Sequence, residues 1–289
     1  MHTHAVGTLQ RSFTLVRTSW GVLRQDKELI ILPVLSIITA GLLVLPFFIG
    51  AIAIGATSDS DSLGPVGWVL MFIGYLVGAY VTIFFQTALV LGANDRMTGG
   101  SPTLGSALSM AGSNAGRILP WAIISATVSV ALQAIQERSG AIGRIVIGLV
   151  GLAWTLVTML VLPILVIEQV GVKDALSRSA TAFKRTWGEN VVGNGGIGIV
   201  GLLGTLIGLV VAGPIVAVGV SRSNTGLVIL GVALFVLWIL LVSAFTSALS
   251  AVFRTALYRF AVLGEEPTGF THEQIADAFR PRSKAAPTA

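Results

Sequence analysis

The sequence contains no cysteine and few charged residues. Cysteine is absent from all 289 positions, which excludes disulfide bonds, thiolate metal sites and a cysteine nucleophile. Charged residues make up 11% of the chain, whereas a soluble domain usually carries about a quarter. So few charges do not cover a water-facing surface, and this excludes an ordinary soluble domain.

The sequence contains several long runs of uncharged, mainly apolar residues. Hydrophobic residues make up 54% of the chain, and six runs are each long enough to cross a bilayer. They predict an all-α fold, a polytopic membrane helix bundle of six transmembrane helices within a single domain, residues 1–266. Residues 267–289 are expected to form a cytoplasmic tail with a disordered end. The predicted spans are residues 29–57, 66–93, 118–136, 145–167, 193–220 and 226–253.

The distribution of basic residues predicts the orientation in the membrane. Of the 18 Lys and Arg residues, all but Arg138, Arg144 and Arg222 fall on the side that holds both termini. Cytoplasmic loops carry such an excess, so both termini are expected in the cytoplasm and the chain in the plasma membrane. This bias accounts for the net charge of +5 without a nucleic-acid partner.

Amphipathic helices are predicted at the cytoplasmic surface. In residues 171–187, an apolar face ending at Trp187 lies beside a basic face, and a similar helix containing Trp20 precedes the first span. Residues 101–116 form a weaker third candidate. Anchoring in the bilayer is the favoured interpretation, and specific contact with anionic lipid headgroups is the alternative. The candidate residues in these helices are Trp20, Arg178, Lys184, Arg185 and Trp187.

Two pairs of segments indicate an internal repeat. Residues 12–21 align with 179–188, and Phe85-Gln86-Thr87-Ala88-Leu89 aligns with Phe253-Arg254-Thr255-Ala256-Leu257 at nearly the same offset. The repeating unit is an amphipathic helix followed by two spans. Both copies begin on the same side, so the repeat is parallel. Spans 1–2 and 5–6 are its clear copies, and whether spans 3–4 are a third stays open.

Long polar side chains are rare inside the spans. Gln86 and Gln133 lie within spans 2 and 3, and Glu168 follows span 4. The glutamines are expected to bond between helices or reach headgroups rather than to bind substrate, and Glu168 to pair with Lys173 or Arg178 or to cap the next helix. No ionisable residue lies at a span centre, which argues against an ion-coupled carrier.

Motifs for catalysis or cofactor binding are missing. Residues 193–198 read G-x-G-x-x-G, but no strand precedes them, so close helix packing by glycine is favoured over dinucleotide binding. The three histidines lie near the two ends of the sequence. We therefore expect no catalytic residues, no cofactor and no metal, and predict that the protein is not an enzyme.

Residues 163–194 and 12–36, with the sequences PILVIEQVGVKDALSRSATAFKRTWGENVVGN and SFTLVRTSWGVLRQDKELIILPVLS, carry a resemblance. The chain resembles an uncharacterised family of bacterial six-span membrane proteins, known only as a domain of unknown function. More loosely, it is similar to membrane domains that accompany glycerophosphodiester phosphodiesterases. The resemblance implies no catalytic or binding residues.

Two functions remain open from the sequence. The first is a structural, lipid-associated or accessory role in the bilayer. The alternative is a transporter or permease for a small or lipid-like substrate. A cavity lined by Gln86, Gln133 or Glu168 favours transport, whereas a bundle sealed by its glycine faces favours the structural role. Protein partners and oligomeric state are left open.

Overall fold

A computed structural model describes residues 21, 27–56, 63–187 and 196–265, with residues 27, 185–187 and 196–200 described by their backbone alone. These ranges are helical and contain no strand. The helices are α1 (Ile31–Ala56), α2 (Gly64–Met97), α3 (Leu104–Ser113), α4 (Ala115–Arg138), α5 (Ala141–Val157), α6 (Val161–Ile167), α7 (Val172–Trp187), α8 (Gly196–Ser221) and α9 (Thr225–Tyr258). A 3₁₀ turn, Lys27–Ile30, precedes α1, and a π-helical turn, Arg259–Leu263, follows α9.

Six segments in this part of the chain are long and apolar enough to span a membrane, which confirms the predicted number. They are Glu28–Ala56, Gly64–Met97, Ala115–Arg138, Ala141–Ile167, Gly201–Ser221 and Thr225–Leu263. Leu42, Ile142 and Val210 are among many large apolar side chains that face outward from these helices. Lipid is the solvent that suits such a surface.

Two helical hairpins, α1–α2 and α8–α9, hold the closest helix pairs. Glycine makes the close approach possible in both. A Cβ at Gly74 would lie 2.9 Å from the Cβ of Phe47, and one at Gly204 would lie 2.9 Å from a methyl group of Val242. At Gly208 it would lie 2.2 Å from the Trp238 ring. The predicted packing role of glycine in α8 is therefore confirmed at Gly204 and Gly208.

The buried core lies towards one end of the bundle, which we call the Glu168 end. It is formed by the carboxyl-terminal parts of α2 and α9, by α6, and by the short helices α3 and α7. A hydrogen bond from the Leu104 backbone N–H to Glu28 Oε2, 2.8 Å long, ties the start of α3 to the turn before α1. Carboxylates are stabilised at helix amino termini, so this contact fixes α3 against the bundle.

The fourth span is broken, where the sequence predicts one continuous helix over 145–167. α5 ends at Val157 and α6 begins at Val161. Pro163 contributes to the break, since proline has no N–H to bond the carbonyl of Met159 and its ring crowds that carbonyl. The Val161 N–H bonds instead to Thr158. The Val157 carbonyl then accepts a hydrogen bond from the Ser179 hydroxyl on α7.

Small residues seat α7 against the bundle. Ala175, Ser179 and Ala182 are buried along one face, while Leu176 and Phe183 beside them are half-buried. The predicted helix is present, and its most buried stripe lies next to the apolar face expected from the sequence. The predicted helix around Trp20, the repeat segment 12–21 apart from Gly21, and the tail 267–289 lie outside the described residues.

Replacing Gly208 by alanine is expected to loosen the α8–α9 hairpin. The added methyl group meets Trp238, whose indole N–H donates a 2.7 Å hydrogen bond to the Gly204 carbonyl, so the ring has little freedom to move. We expect a lower Tm for Gly208→Ala in thermal unfolding of the detergent-solubilised protein.

Gly201→Ala on the same helix is the control. Its Cβ makes only an ordinary 3.6 Å contact, and alanine is favoured over glycine by about 1 kcal/mol in a helix. Equal Tm values for the two variants would contradict this packing.

Candidate functional site: a polar cavity within the bundle

Two adjoining cavities lie among the spanning helices. The larger has a volume of about 570 Å³ and is bounded by α1, α2, α4 and the broken α5–α6 segment. The smaller has a volume of about 210 Å³ and lies among α2, α6 and α9. Gln86, Leu162 and Arg254 line both. We call these the large and small chambers, and these three residues form their common wall.

The large chamber is mainly apolar and aromatic. Phe48, Trp121 and Trp154 contribute to its wall, and the two indole rings are stacked with centroids 6.2 Å apart. Gly74 and Gln86, at its two extremes on α2, are twelve residues apart, which corresponds to about 18 Å of helix. The chamber is therefore an elongated, mainly apolar space, with hydroxyl groups such as those of Tyr75 and Ser129 distributed along its wall.

Hydroxyl groups form one side of the large chamber. Thr82, Ser129, Thr155 and Thr158 each donate to a backbone carbonyl four residues earlier, at distances of 2.7–2.9 Å. These bonds occupy the hydroxyl protons and leave oxygen lone pairs free to accept. Thr155 and Thr158 lie at the end of α5, so the break in the fourth span is part of the cavity wall.

Serines from α9 line the small chamber. Ser243, Ser247 and Ser250 precede Arg254 at helical spacings of four, three and four residues, and all four residues line the cavity. Residues with this spacing lie along one face of a helix. Among the described residues, the three serine hydroxyls donate no hydrogen bond to protein. They are available to a bound molecule.

Arg254 is the charged group of the cavity. Within the described part of the chain, its guanidinium has no hydrogen-bond or ion-pair partner, and the Gln86 amide also lacks one. From the sequence, Arg254 is expected among the basic residues on the cytoplasmic side, because the uncharged run of the sixth span ends at 253. In the structure, α9 continues to Tyr258 and brings Arg254 to the chamber wall. The sequence does contain a signal for this position of Arg254. Gln86 and Arg254 occupy the same place in the two aligned Phe-x-Thr-Ala-Leu segments, which indicates similar positions on their helices.

A second polar group, the Glu168 cluster, consists of Glu168, Arg178 and Tyr258. Glu168 Oε2 pairs with the guanidinium of Arg178 on α7, and Glu168 Oε1 accepts a 3.1 Å hydrogen bond from the Tyr258 hydroxyl. Tyr258 is fully buried, whereas the Arg178 side chain is 53% exposed. The expected pairing of Glu168 with Arg178 is thus observed, and Tyr258 is a partner that the sequence did not indicate.

Neighbouring contacts join the same helices. Arg259 donates a 2.8 Å hydrogen bond to the Asn94 side chain and pairs with Glu265, which connects the ends of α2 and α9. Arg117 donates to the carbonyl of Gln169, a residue with a φ of 55° in the turn before α7. Together with the Glu168 cluster, these bonds fix the ends of the helices that form the cavity.

The remaining predicted site residues are not brought together. Gln133 is exposed on α4 and lines neither chamber, and Lys184 is exposed on α7. Glu168 and Arg178 also lie outside the chamber walls. Trp20 and the side chains of Arg185 and Trp187 are outside the described residues, as are residues 193–195 of the glycine motif 193–198. Gln86 is the one candidate from the sequence that the described structure places at the cavity.

Removing Glu168 is expected to cost more stability than removing Arg178. Glu168→Ala leaves the buried Tyr258 hydroxyl without its acceptor, and such a loss costs about 1–3 kcal/mol. Arg178→Ala removes an exposed ion pair, which contributes at most about 1 kcal/mol. Denaturant unfolding followed by tryptophan fluorescence measures both. An Arg178→Ala variant as unstable as Glu168→Ala would show that the ion pair, not the tyrosine contact, dominates.

The comparisons with known proteins locate the chain in one family. No curated protein and no solved structure matches it. A family model described as "Family of unknown function (DUF6159)" matches residues 65–270, more than half of the chain. The matched region contains α3 to α9 and nearly all of α2. It therefore includes both the glutamine and the arginine of the common wall. The chain belongs to this family of unknown function.

Proposed function

We propose that the protein is a membrane carrier for a small or lipid-like substrate. The observation that carries this proposal is the pair of chambers with Gln86 in their common wall, which is the feature that distinguishes transport from a purely structural role. The volume of the large chamber, about 570 Å³, lies within the usual range of about 300–1,000 Å³ for ligand sites. Its mainly apolar wall with interspersed polar groups is also compatible with such a site.

The helix break supports the same proposal. Discontinuous spanning helices commonly form the substrate sites of transporters, because the interruption frees backbone groups within the membrane. Here the interruption lies between Val157 and Val161, and Thr158 within it lines the large chamber.

The structural alternative has a specific weakness. The glycine contacts close the interface within each hairpin, but the chambers lie between α1–α2, α4–α6 and α9. The glycine contacts therefore close the interface inside each hairpin but do not close the space between the hairpins. The absence of enzyme activity stays a prediction. The relationship to membrane domains that accompany phosphodiesterases also stays a prediction.

In this proposal, the Glu168 end faces the cytoplasm and the protein resides in the plasma membrane. The excess of basic residues on this side supports the orientation. Lys173, Arg178 and Lys184 are exposed on α7, where anionic headgroups are natural partners for them.

A reporter domain fused after residue 289 is expected to be active in the cytoplasm. Activity of that fusion on the opposite side of the membrane would contradict the orientation.

The absence of cysteine gives a direct test of the carrier proposal. Ser129→Cys places a single thiol at the wall of the large chamber. We expect a charged, water-soluble thiol reagent to label it, because the reactive thiolate forms where water is present. Labelling is measured in intact cells and in inverted vesicles. A carrier that alternates its access is expected to show labelling from both sides.

The matched control is Ile123→Cys on the same helix. Ile123 is exposed on the apolar outer surface and lines neither chamber, so the reagent is not expected to reach it within lipid. Protection of Ser129→Cys from both sides, to the same degree as Ile123→Cys, would show a sealed bundle. That result would favour the structural role.

A further inference from the structure

We propose that Arg254 binds the anionic headgroup, a phosphate or a carboxylate, of an amphiphile whose apolar part occupies the large chamber. The proposal rests on the proposed carrier function and names its substrate class. It follows from the charge of Arg254, the donors around it, the matching position of Gln86 and the apolar shape of the cavity.

The charge of Arg254 requires compensation. A guanidinium stays protonated in proteins, and a charged side chain within a spanning segment is costly unless it is paired. Within the described ranges, no protein group pairs with Arg254, although Glu168 and Glu265 at the same end pair with Arg178 and Arg259. A bound anion supplies the missing charge. The planar fork of donors matches the oxygens of a phosphate or a carboxylate.

The serine stripe adds donors along the small chamber, and Ser250 lies one helical turn from Arg254. Ser243, Ser247 and Ser250 lie on the same face of α9 as Arg254 and leave their hydroxyl protons unused within the described structure. An anion at Arg254 accepts from such hydroxyls at no cost in lost protein hydrogen bonds. The small chamber is thus lined for an anion rather than for a cation.

The two Phe-x-Thr-Ala-Leu segments explain why Gln86 and Arg254 point to one space. Thr87 and Thr255 are both fully buried, and each donates a 2.8 Å hydrogen bond to the carbonyl four residues before it. The Ala and Leu positions that follow are also buried in both segments. The x position is therefore turned alike on α2 and α9, towards the common wall. Gln86 contributes an uncharged amide that is able to donate to the same anion.

The shape of the large chamber favours an amphiphile over a free anion. From the common wall it extends about 18 Å along α2, past Trp121 and Trp154 to Phe48. A free anion uses only the end at Arg254 and leaves the rest of this mainly apolar space without an occupant. An acyl chain fills it, with the headgroup held at Arg254.

Binding to the purified full-length chain in neutral detergent tests the proposal. The probes are oleoyl lysophosphatidic acid, oleate, lysophosphatidylcholine with the same chain, and inorganic phosphate, each titrated calorimetrically. We expect at least one of the two anionic amphiphiles to bind ten times or more tightly than lysophosphatidylcholine. In Arg254→Gln this preference is expected to disappear, and in Arg254→Lys part of it remains, since lysine keeps the charge without the fork. Arg138→Gln, outside both chambers at the carboxyl end of α4, is expected to keep the wild-type preference.

Four results would overturn the proposal. They are equal binding of anionic and zwitterionic amphiphiles, a preference that survives in Arg254→Gln, an Arg254→Lys variant that behaves like Arg254→Gln, and inorganic phosphate binding as tightly as the amphiphiles. Thermal unfolding without ligand controls for folding, and we expect a Tm for Arg254→Gln at or above that of wild type, because the substitution removes an uncompensated charge. Labelling of Ser129→Cys does not depend on Arg254. If labelling persists while the binding preference is absent, the headgroup site fails and the carrier proposal stands; if labelling is absent, the carrier proposal fails.

Discussion

The hydrogen bond from Ser179 to the Val157 carbonyl is the interaction on which the interior of this bundle depends. In a membrane, every backbone polar group needs a partner within the protein, so a helix does not break without a substitute for the bonds it loses. Pro163 removes one donor, and the chain between Val157 and Val161 turns out of helical geometry. Ser179 reaches this carbonyl only because α7 packs on α5 and α6 through small residues. A peripheral helix therefore stabilises an irregular segment deep in the bundle.

The cavity follows from how the helices are paired. Glycine brings the backbones of α1 and α2 together, and those of α8 and α9, so each hairpin behaves as a closely packed unit. The ends of these units are joined at the Glu168 end, where Arg259 bonds Asn94 and Tyr258 bonds Glu168. Away from that end, the broken fourth span leaves space between the units. The bundle is thus tightly closed at one end and open inside, a combination that suits a site approached from the membrane or from the opposite end.

Much of this fold could be predicted from the sequence because it depends on local patterns. Six apolar runs predict six spans, and the glycines at 204 and 208 predict close packing. Arg178 is one of the three options that the sequence left open for Glu168, and it is the partner observed. The break could not be placed from Pro163 alone, since several other prolines lie inside continuous helices, among them Pro46, Pro120 and Pro214. What differs at Pro163 is the hydroxyl of Ser179, and its contact is tertiary. The chambers are likewise products of three or more helices and have no local signature.

Arg254 shows how a run of uncharged residues misleads at its edge. Arg254 is the first charged residue after the uncharged run, so the sequence predicts that it lies in water outside the span. In the structure, α9 continues for one more helical turn, and Arg254 lies at the chamber wall. The aligned position in the other hairpin is Gln86, which is neutral and needs no counter-charge. If the two hairpins arose as copies, exchange of one neutral amide for a guanidinium places a positive charge in the space between them. In the proposed site, the preference for anions comes from this difference between the aligned positions, whereas the space depends on α4 and the broken fourth span as well as on both hairpins.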